Sequence, residues 1–248
     1  MQWDPQLYLE FDAERTQAAI DLVSRIPLAR PGEIADLGCG PGNSTAVLAR
    51  RWPDARITGV DHSAEMLERA ASRPNAVHWV RQDIACWDPD EQFDLVFSNA
   101  ALQWVPRHPD LLPRLMRRVR AGGVFAMQIP YHLHSRVHSL IEETAGRFAC
   151  RRHVFEIRSP EEYYDILAPH ARRVDAWITE YLHVMEDAAS IVRWMRGTGL
   201  RPYLEGLAGS DQAAFLETLG LAIAREYPRR VDGRVLFPFA RLFLIAAA

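Results

Sequence analysis

Residues 33–43 read EIADLGCGPGN, and this stretch decides the fold. Residues 33–37, in which Ile34, Ala35 and Leu37 are apolar, have the length of a short buried strand. Gly38, Gly40 and Gly42 follow it, and glycine lets the backbone turn tightly and approach a ligand with no Cβ in the way. Because open parallel sheets bind ligands beyond the carboxyl ends of their strands, we expect this loop to be a binding loop.

A segment of helical periodicity precedes this stretch, and from residue 33 onward short apolar runs alternate with helical segments. The alternation indicates an α/β fold with a parallel sheet covered by helices on both faces. Two glycines at 122–123 are predicted to end the helix before the fifth strand. The strands are predicted at 33–37, 56–60, 77–81, 93–98 and 123–128, and the helices at 7–26, 44–51, 63–71 and 109–119.

The pattern changes after the fifth strand. Helices are predicted at 135–149 and 159–168, and strands at 174–185 and 235–246. Between these two strands lies a helical stretch, 187–227, with interruptions at Gly197, Gly199, Pro202 and Gly209. We therefore predict an antiparallel hairpin whose connection has become a helical insert, forming a lid over one end of the sheet.

No Pro-, Gly- or Ser-rich linker divides the chain. We predict a single domain over residues 1–248. Its N-terminal helix and ligand-binding core occupy 1–134. The remaining core strands occupy 135–248, with the helical insert around 187–228.

The composition is that of a soluble globular protein, with 48% hydrophobic and 25% charged residues. The net charge of −3 provides no basic field for nucleic acid or an anionic membrane, so we expect neither partner. All 29 cationic side chains are arginines. Cys39, Cys86 and Cys150 are odd in number and lack C-x-x-C spacing, which argues against disulfides or zinc and favours the cytoplasm. We expect neither a signal peptide nor a membrane span.

Two classes of cofactor compete for the glycine loop. A dinucleotide needs G-x-G-x-x-G with its pyrophosphate at the helix N-terminus, but here the third position is Asn43. The spacing is instead G-x-G-x-G, preceded by Asp36, whose charge repels a pyrophosphate and suits a cofactor that carries an ammonium and a sulfonium. Asp61, at the end of the second strand, is suited to accept both hydroxyls of a ribose.

The order of these signals resembles the class I S-adenosylmethionine-dependent methyltransferases. The resemblance rests on EIADLGCGPG at 33–42, VD at 60–61, QDI at 82–84 and DLVFSN at 94–99. It implies a Rossmann-like, seven-stranded, mostly parallel sheet of order 3-2-1-4-5-7-6, with strand 7 antiparallel and an added helical lid subdomain. It also implies S-adenosyl-L-methionine as cofactor and S-adenosyl-L-homocysteine as product.

The same resemblance implies which residues hold the cofactor. The glycine loop packs along its amino-acid end, and the loop at 98–103 lines the methionyl moiety. The acid after the second strand takes the ribose, its neighbours flank the adenine, and the acid after the third strand meets the adenine amino group. Tyr8 and Arg15 reach the methionyl carboxylate. The predicted cofactor-binding residues are Tyr8, Arg15, Asp36, Gly38, Gly40, Gly42, Asp61, His62, Met66, Asp83, Ile84 and Asn99.

The second half of the chain narrows the resemblance to the trans-aconitate 2-methyltransferase family. The motifs are WDP at 3–5, NAALQWV at 99–105, GTGLRPY at 197–203 and FPFARLF at 237–243. That family forms a monomethyl ester on a small tricarboxylate. A carboxylate is already ionised at neutral pH, so we expect no catalytic general base and no metal. His132, His134 and His138 are interpreted as polar loop and helix residues rather than metal ligands.

The enzyme must instead hold a trianion, and forked arginine–carboxylate pairs do so efficiently. Arg201 is the predicted anchor among the arginines of the insert and tail, because it lies in the glycine-broken segment 197–203. The other candidates are Arg193, Arg196, Arg229, Arg230, Arg234 and Arg241. The predicted substrate-binding residues are Arg201, Tyr203, Trp194, Trp104 and Gln103.

Two other functions remain open at this point. The same cofactor site would serve methylation of a carboxylate on an acyl carrier or of a quinone-like ring. The second open function is that of a non-catalytic module that binds S-adenosylmethionine. We expect a monomer or a weak homodimer that acts on a small-molecule polycarboxylate.

Overall fold

The computed structural model of the chain describes residues 11–73, 76–148, 150 and 155–248. In these residues seven strands form one sheet in the order β3-β2-β1-β4-β5-β7-β6. Strands β1 to β5 pair in parallel, and β7 pairs antiparallel with β5, which confirms the predicted sheet. The strands are β1 Glu33–Leu37, β2 Arg56–Asp61, β3 Val77–Arg81, β4 Phe93–Asn99, β5 Val119–Pro130, β6 Arg173–Met185 and β7 Val235–Ala247.

The helices follow the predicted alternation, with ends that differ by a few residues. Three helices occupy 187–227, and the predicted interruptions at Gly197, Gly199 and Gly209 lie between them or at a helix start. The predicted interruption at Pro202 is wrong, since Pro202 lies in the first turn of a helix, where its missing N–H costs no hydrogen bond. The helices are α1 Asp12–Arg25, α2 Asn43–Arg51, α3 Ala64–Ala71, α4 His108–Met116, α5 Arg136–Ala145, α6 Pro160–Leu167, α7 Ala188–Arg196, α8 Arg201–Leu204 and α9 Gly209–Glu226; the 3-10 turns are η1 Ile84–Cys86, η2 Leu102–Trp104 and η3 Ala168–His170.

The glycines at 122–123 correct one prediction. Helix α4 ends at Met116 and β5 already begins at Val119, so both glycines lie inside the strand. The pairing of β4 with β5 shifts register there, and Gly122 has a φ of 78°. A bulge of this kind needs a residue that takes a left-handed conformation. The glycines therefore bend β5 and do not end the helix.

The chain divides into two compact units. Of the described residues, unit 1 contains 11–15, 131–148, 150 and 180–240, and unit 2 contains 16–73, 76–130, 155–179 and 241–248. Unit 1 includes the predicted helical insert, whereas unit 2 includes the parallel strands. The single-domain organisation stays a prediction.

Unit 1 has a hydrophobic core of its own. Ile191 and Trp194 on α7, Phe215 and Leu219 on α9, and Phe237 on β7 are almost completely buried. Burying each such side chain stabilises a fold by about 1.5–3 kcal/mol. The insert is therefore a packed body and not an extended loop.

The central strands of unit 2 are buried on both faces. In β4, Leu95, Val96 and Phe97 are fully buried in succession, as is typical of a central parallel strand covered by helices. Polar groups at the carboxyl ends of these strands therefore stand out against an apolar sheet.

Among the described residues, no helix combines the length and the apolar character needed to cross a membrane.

Candidate active site

The loop after β1 owes its path to three glycines in the left-handed region. Gly38, Gly40 and Gly42 have φ values of 73°, 54° and 86°. A Cβ on Gly38 would lie 2.2 Å from Cβ of Ala101, so this glycine lets the loops after β1 and β4 touch. A Cβ on Gly40 would meet nothing within 4 Å. Gly40 therefore borders open space in which a ligand can approach the backbone.

Asp61 ends β2 directly beside this loop. Its Oδ2 accepts from the Gly40 backbone N–H at 2.9 Å, and its Oδ1 accepts from the Ser63 N–H at 2.8 Å. Each carboxylate oxygen can accept a further hydrogen bond. Next to Asp61, His62 is exposed and Met66 is half-buried on α3. These three predicted residues thus lie together at the carboxyl end of β2.

Asp36 lies behind the loop and is fully buried. Its Oδ2 accepts from Ser44 Oγ at 2.8 Å and from Thr45 Oγ1 at 2.7 Å, which ties the start of α2 to β1. Its Oδ1 is buried with no hydrogen-bond partner among the described residues. Burial raises the pKa of Asp36 to about 6, although the two hydroxyl donors oppose the shift. This carboxyl is therefore ionisable near neutral pH and incompletely hydrogen-bonded.

The loop after β3 meets the same glycines. Asp83 is exposed, and its Oδ1 accepts from the Ala85 N–H at 2.8 Å, which starts η1. Ile84 is buried, and its Cδ1 lies 3.3 Å from the Cβ position of Gly38. The structure therefore brings the predicted residues after β1, β2 and β3 to one edge of the sheet.

The loop after β4 has a strained backbone and unsatisfied polar atoms. Ala100, which follows Asn99, has a φ of 55°, a conformation that costs free energy in a residue other than glycine. Asn99 Oδ1 and Gln103 Oε1 are buried with no partner among the described residues, although Gln103 Nε2 donates to the Ala100 carbonyl at 2.8 Å. Trp104 is 44% exposed and packs edge-on against Phe155.

In unit 1 the predicted substrate residues fall into two groups. Trp194 is 1% exposed within the core, with its ring centroid 5.1 Å from Phe11 and 4.7 Å from His183. Tyr203 is also buried, and its hydroxyl donates to Glu142 Oε1 at 2.5 Å.

Arg201 is about half exposed on the short helix α8. Its Nε donates to Glu205 Oε1 at 2.8 Å. The roles of Arg201, Tyr203 and Trp194 in binding stay predictions. Of the two residues predicted at the N-terminus, Tyr8 and the side chain of Arg15 lie outside the described residues.

Two histidines predicted to be ordinary polar residues form a stacked pair in unit 1. The rings of His132 and His138 lie 4.1 Å apart at 12°, and His138 Nδ1 is 3.0 Å from Ser135 Oγ. Burial lowers the pKa of His132 to about 4 and that of His138 to about 3. Across the described part of the chain, no three His, Cys, Asp or Glu side chains are grouped closely enough to hold a metal ion.

Gln128 on β5 was not predicted as a site residue, and Arg241 on β7 was only one of seven candidates. Gln128 is fully buried, Arg241 is 3% exposed, and Arg241 Nη1 donates to Gln128 Oε1 at 3.3 Å. Each residue interrupts an apolar run, Gln128 between Met127 and Ile129 and Arg241 before Leu242. A polar residue inside a buried strand is the sequence signal for such a position.

Comparison with known proteins agrees with this geometry. Residues 34–123 match the family described as a methyltransferase domain. A trans-aconitate 2-methyltransferase from Azoarcus sp. (strain BH72) is 50% identical over 248 residues, which is 98% of each chain.

Two solved structures share the fold. The YcgJ protein of Bacillus subtilis has a TM-score of 0.63 at 16% identity, covering 93% of this chain and 98% of that one. Phosphoethanolamine N-methyltransferase 2 of Haemonchus contortus, solved with phosphomonomethylethanolamine and S-adenosylhomocysteine, has a TM-score of 0.57 at 15% identity, covering 93% of this chain and 52% of that one. Since a relative is 50% identical along nearly its whole length, the chain belongs to the trans-aconitate 2-methyltransferase family.

Proposed function

We propose that this protein transfers a methyl group from S-adenosylmethionine to one carboxylate of trans-aconitate. The products are a monomethyl ester and S-adenosylhomocysteine. Membership of the family supports the choice of acceptor. The observation that carries the choice of cofactor is the set of buried oxygen atoms without partners around the glycine loop.

Three such atoms are Asp36 Oδ1, Asn99 Oδ1 and Gln103 Oε1. All three accept hydrogen bonds, and an unsatisfied buried acceptor is costly unless a ligand supplies a donor. A cofactor with an ammonium and a sulfonium supplies both donors and positive charge, which a pyrophosphate does not. The residues present therefore fit S-adenosylmethionine better than a dinucleotide.

The remaining contacts follow from the strand ends. We expect the carboxylate of Asp61 to take the ribose hydroxyls, and the open space beside Gly40 supports contact between the ligand and the backbone. Met66 is half-buried and Asp83 is exposed, and we expect both to contact the adenine. These roles extend the family resemblance to this chain residue by residue.

Bound S-adenosylmethionine supplies a methyl group on a positively charged sulfur. The acceptor carboxylate has a pKa near 4 and is ionised at pH 7, so no side chain has to remove a proton. Its oxygen forms the O–C bond as the S–C bond breaks, and a trianion becomes a dianionic monoester. The chain contributes alignment, which can lower such a barrier by about 7–11 kcal/mol. We expect the half-exposed ring of Trp104 to shield the acceptor from water.

The test is a methyl-transfer assay across di- and tricarboxylic acids, with an acylated carrier protein and a quinone-like phenol as competing acceptors. We expect trans-aconitate to give the highest kcat/KM, with activity retained in EDTA and the ester position read by NMR. Turnover confined to the carrier or the phenol would contradict the proposal. Tight S-adenosylhomocysteine binding with no acceptor methylated would identify a non-catalytic binding module instead.

A further inference from the structure

Gln128 and Arg241 form a buried polar pair in unit 2. Arg241 Nη1 donates to Gln128 Oε1 at 3.3 Å, so the Gln128 amide turns its oxygen toward the guanidinium. Its nitrogen, Nε2, is buried with no acceptor among the described residues. Gln128 is fully buried, and Arg241 is 3% exposed. An unsatisfied buried N–H beside a buried cation is an arrangement that favours an anion.

The pairing of the strands places this pair next to the candidate cofactor site. In parallel register Asn99 on β4 lies opposite Gln128 on β5, and the Ala100 N–H donates to the Gln128 carbonyl at 2.8 Å. In antiparallel register Gln128 lies opposite Phe243 on β7, two residues from Arg241. Side chains two residues apart share a face of the sheet. Asn99, Gln128 and Arg241 therefore follow one another across three adjacent strands.

The unsatisfied atoms change character along this row. Near β1 and β4 they are the oxygens of Asp36, Asn99 and Gln103, whereas on β5 the atom is the nitrogen of Gln128. Oxygens suit a cationic ligand and N–H groups suit an anionic one. A cationic methyl donor and an anionic acceptor meet in this reaction. The oxygens on the β1 and β4 side of the row suit the donor, and the nitrogen on β5 suits the acceptor.

We propose that Arg241 and Gln128 bind a carboxylate of the acceptor that is not methylated. The inference rests on the proposed function and adds the residues that hold the substrate. Arg241 offers N–H groups in a planar fork that matches a carboxylate, and Gln128 fixes the fork and adds its own N–H. Arg201, the arginine predicted from the sequence, is instead half exposed and ion-paired with Glu205.

The methionyl carboxylate of the cofactor is the competing anion. The cofactor contacts proposed above run from Asp61 on β2 through the loop after β1 to Asn99 on β4. Gln128 lies one strand beyond Asn99, about 4.8 Å farther along the sheet. Arg241 lies on β7, beyond β5 in the strand order. The pair thus lies beyond the strands that carry the proposed cofactor contacts, so the methionyl carboxylate is the weaker candidate.

The experiment measures KM for trans-aconitate, kcat and the Kd for S-adenosylhomocysteine in Arg241→Lys and Gln128→Leu. Both changes keep side-chain bulk, and the lysine keeps the charge. We expect KM to rise about 30-fold or more in Arg241→Lys and about 10-fold in Gln128→Leu, because buried charge-assisted hydrogen bonds are lost. The Kd for S-adenosylhomocysteine should stay within about 2-fold, as for a variant outside the cofactor site.

Arg120→Lys is the matched control. Arg120 also lies on β5, but at the amino end of the parallel strands, where it pairs with Asp94. The same exchange there should leave KM unchanged. A weakened Kd for S-adenosylhomocysteine with an unchanged KM would assign the pair to the methionyl carboxylate and overturn the proposal. If Arg241→Lys fails to fold, Gln128→Leu and Gln128→Glu provide the test. Gln128→Glu places a carboxylate beside Arg241 that competes with the carboxylate of the substrate.

A substrate series separates this proposal from the proposed function. In the wild type, an acceptor that lacks one carboxylate should react with a much higher KM than trans-aconitate. In Arg241→Lys that difference should shrink, since the missing carboxylate no longer has its partner. If the difference in KM between the two acceptors is the same in the wild type and in Arg241→Lys, the proposed role of Arg241 is overturned. A wild type that methylates none of the polycarboxylates refutes the proposed function itself, and the pair then has no acceptor to bind.

Discussion

The two units use similar residues for different purposes. In unit 2, Trp104 is 44% exposed at the loop after β4, near the strained backbone of Ala100 and the buried, unsatisfied side-chain oxygens of Asn99 and Gln103. In unit 1, Trp194 is 1% exposed and is surrounded by Phe11, His183 and Phe239. Unit 2 concentrates strain and unsatisfied polar atoms at one edge of its sheet, whereas the aromatic residues of unit 1 are mainly packed.

This difference shows which kind of feature marks a site. Aromatic and arginine residues are frequent in both units and do not distinguish binding from packing. Positive φ at Gly38, Gly40 and Ala100, together with unsatisfied oxygens, occurs where three strand ends meet. Backbone strain and unsatisfied polar atoms are therefore the more informative signs in this molecule.

The largest expected effect compares the two tryptophans. Trp194→Ala should reduce the free energy of unfolding by about 3–5 kcal/mol, because it leaves a cavity in the core of unit 1. Trp104→Ala should cost about 1 kcal/mol or less in stability, since nearly half of the ring is already exposed, but it should lower kcat/KM. Urea unfolding and methyl-transfer assays measure both, and equal stability losses would contradict the division drawn here.

The next comparison uses two glycines with similar backbone angles. Gly38→Ala should destabilise the protein by at least about 2 kcal/mol, through left-handed strain plus the collision with Ala101. Gly233→Ala in unit 1, with a φ of 80° and no atom within 4 Å of the added Cβ, should cost only the strain, about 1–2 kcal/mol. Chemical denaturation of both variants is the measurement. A smaller loss for Gly38 would mean that the loops after β1 and β4 do not touch.

The smallest effect concerns the buried carboxyl of Asp36. Its pKa of about 6 means that it is ionised above this pH and becomes protonated below it. Because the ionised form favours the ammonium of the ligand, affinity for S-adenosylhomocysteine should fall as pH drops below 6, by up to about tenfold per pH unit. Calorimetric titration from pH 7.5 to 5 checks this. Asp36→Asn should bind more weakly with a flat profile, and an unchanged slope in that variant would exclude Asp36 as the titrating group.

Much of the fold was predictable because its signals are local. Each strand end that carries a predicted cofactor residue is marked by a short apolar run followed by a polar or glycine residue. In 187–227 the first helix ends just before Gly197 and the last begins at Gly209, both predicted interruptions. The glycines at 122–123 were misread, since a helix end and a strand bulge require the same left-handed glycine and only strand pairing distinguishes them.

The Gln128–Arg241 pair could not be predicted from local pattern. The two residues are 113 positions apart, and they meet only because β7 inserts between β5 and β6. The burial of Trp194 and Tyr203 was equally hard to predict from local pattern. Both lie in stretches where the pattern suits a pocket wall and a core equally well, and packing against distant elements decides between them.

The stacked histidines of unit 1 make its stability depend on proton uptake. Burial keeps His132 and His138 neutral in the folded protein, with pKa values of about 4 and 3, whereas unfolding returns each to about 6.5. Glu142 opposes the shift on His132, and the imidazole of His132 further lowers the pKa of His138. Between about pH 6.5 and 4 the unfolded state thus binds more protons than the folded state, and mild acid destabilises unit 1 through this pair.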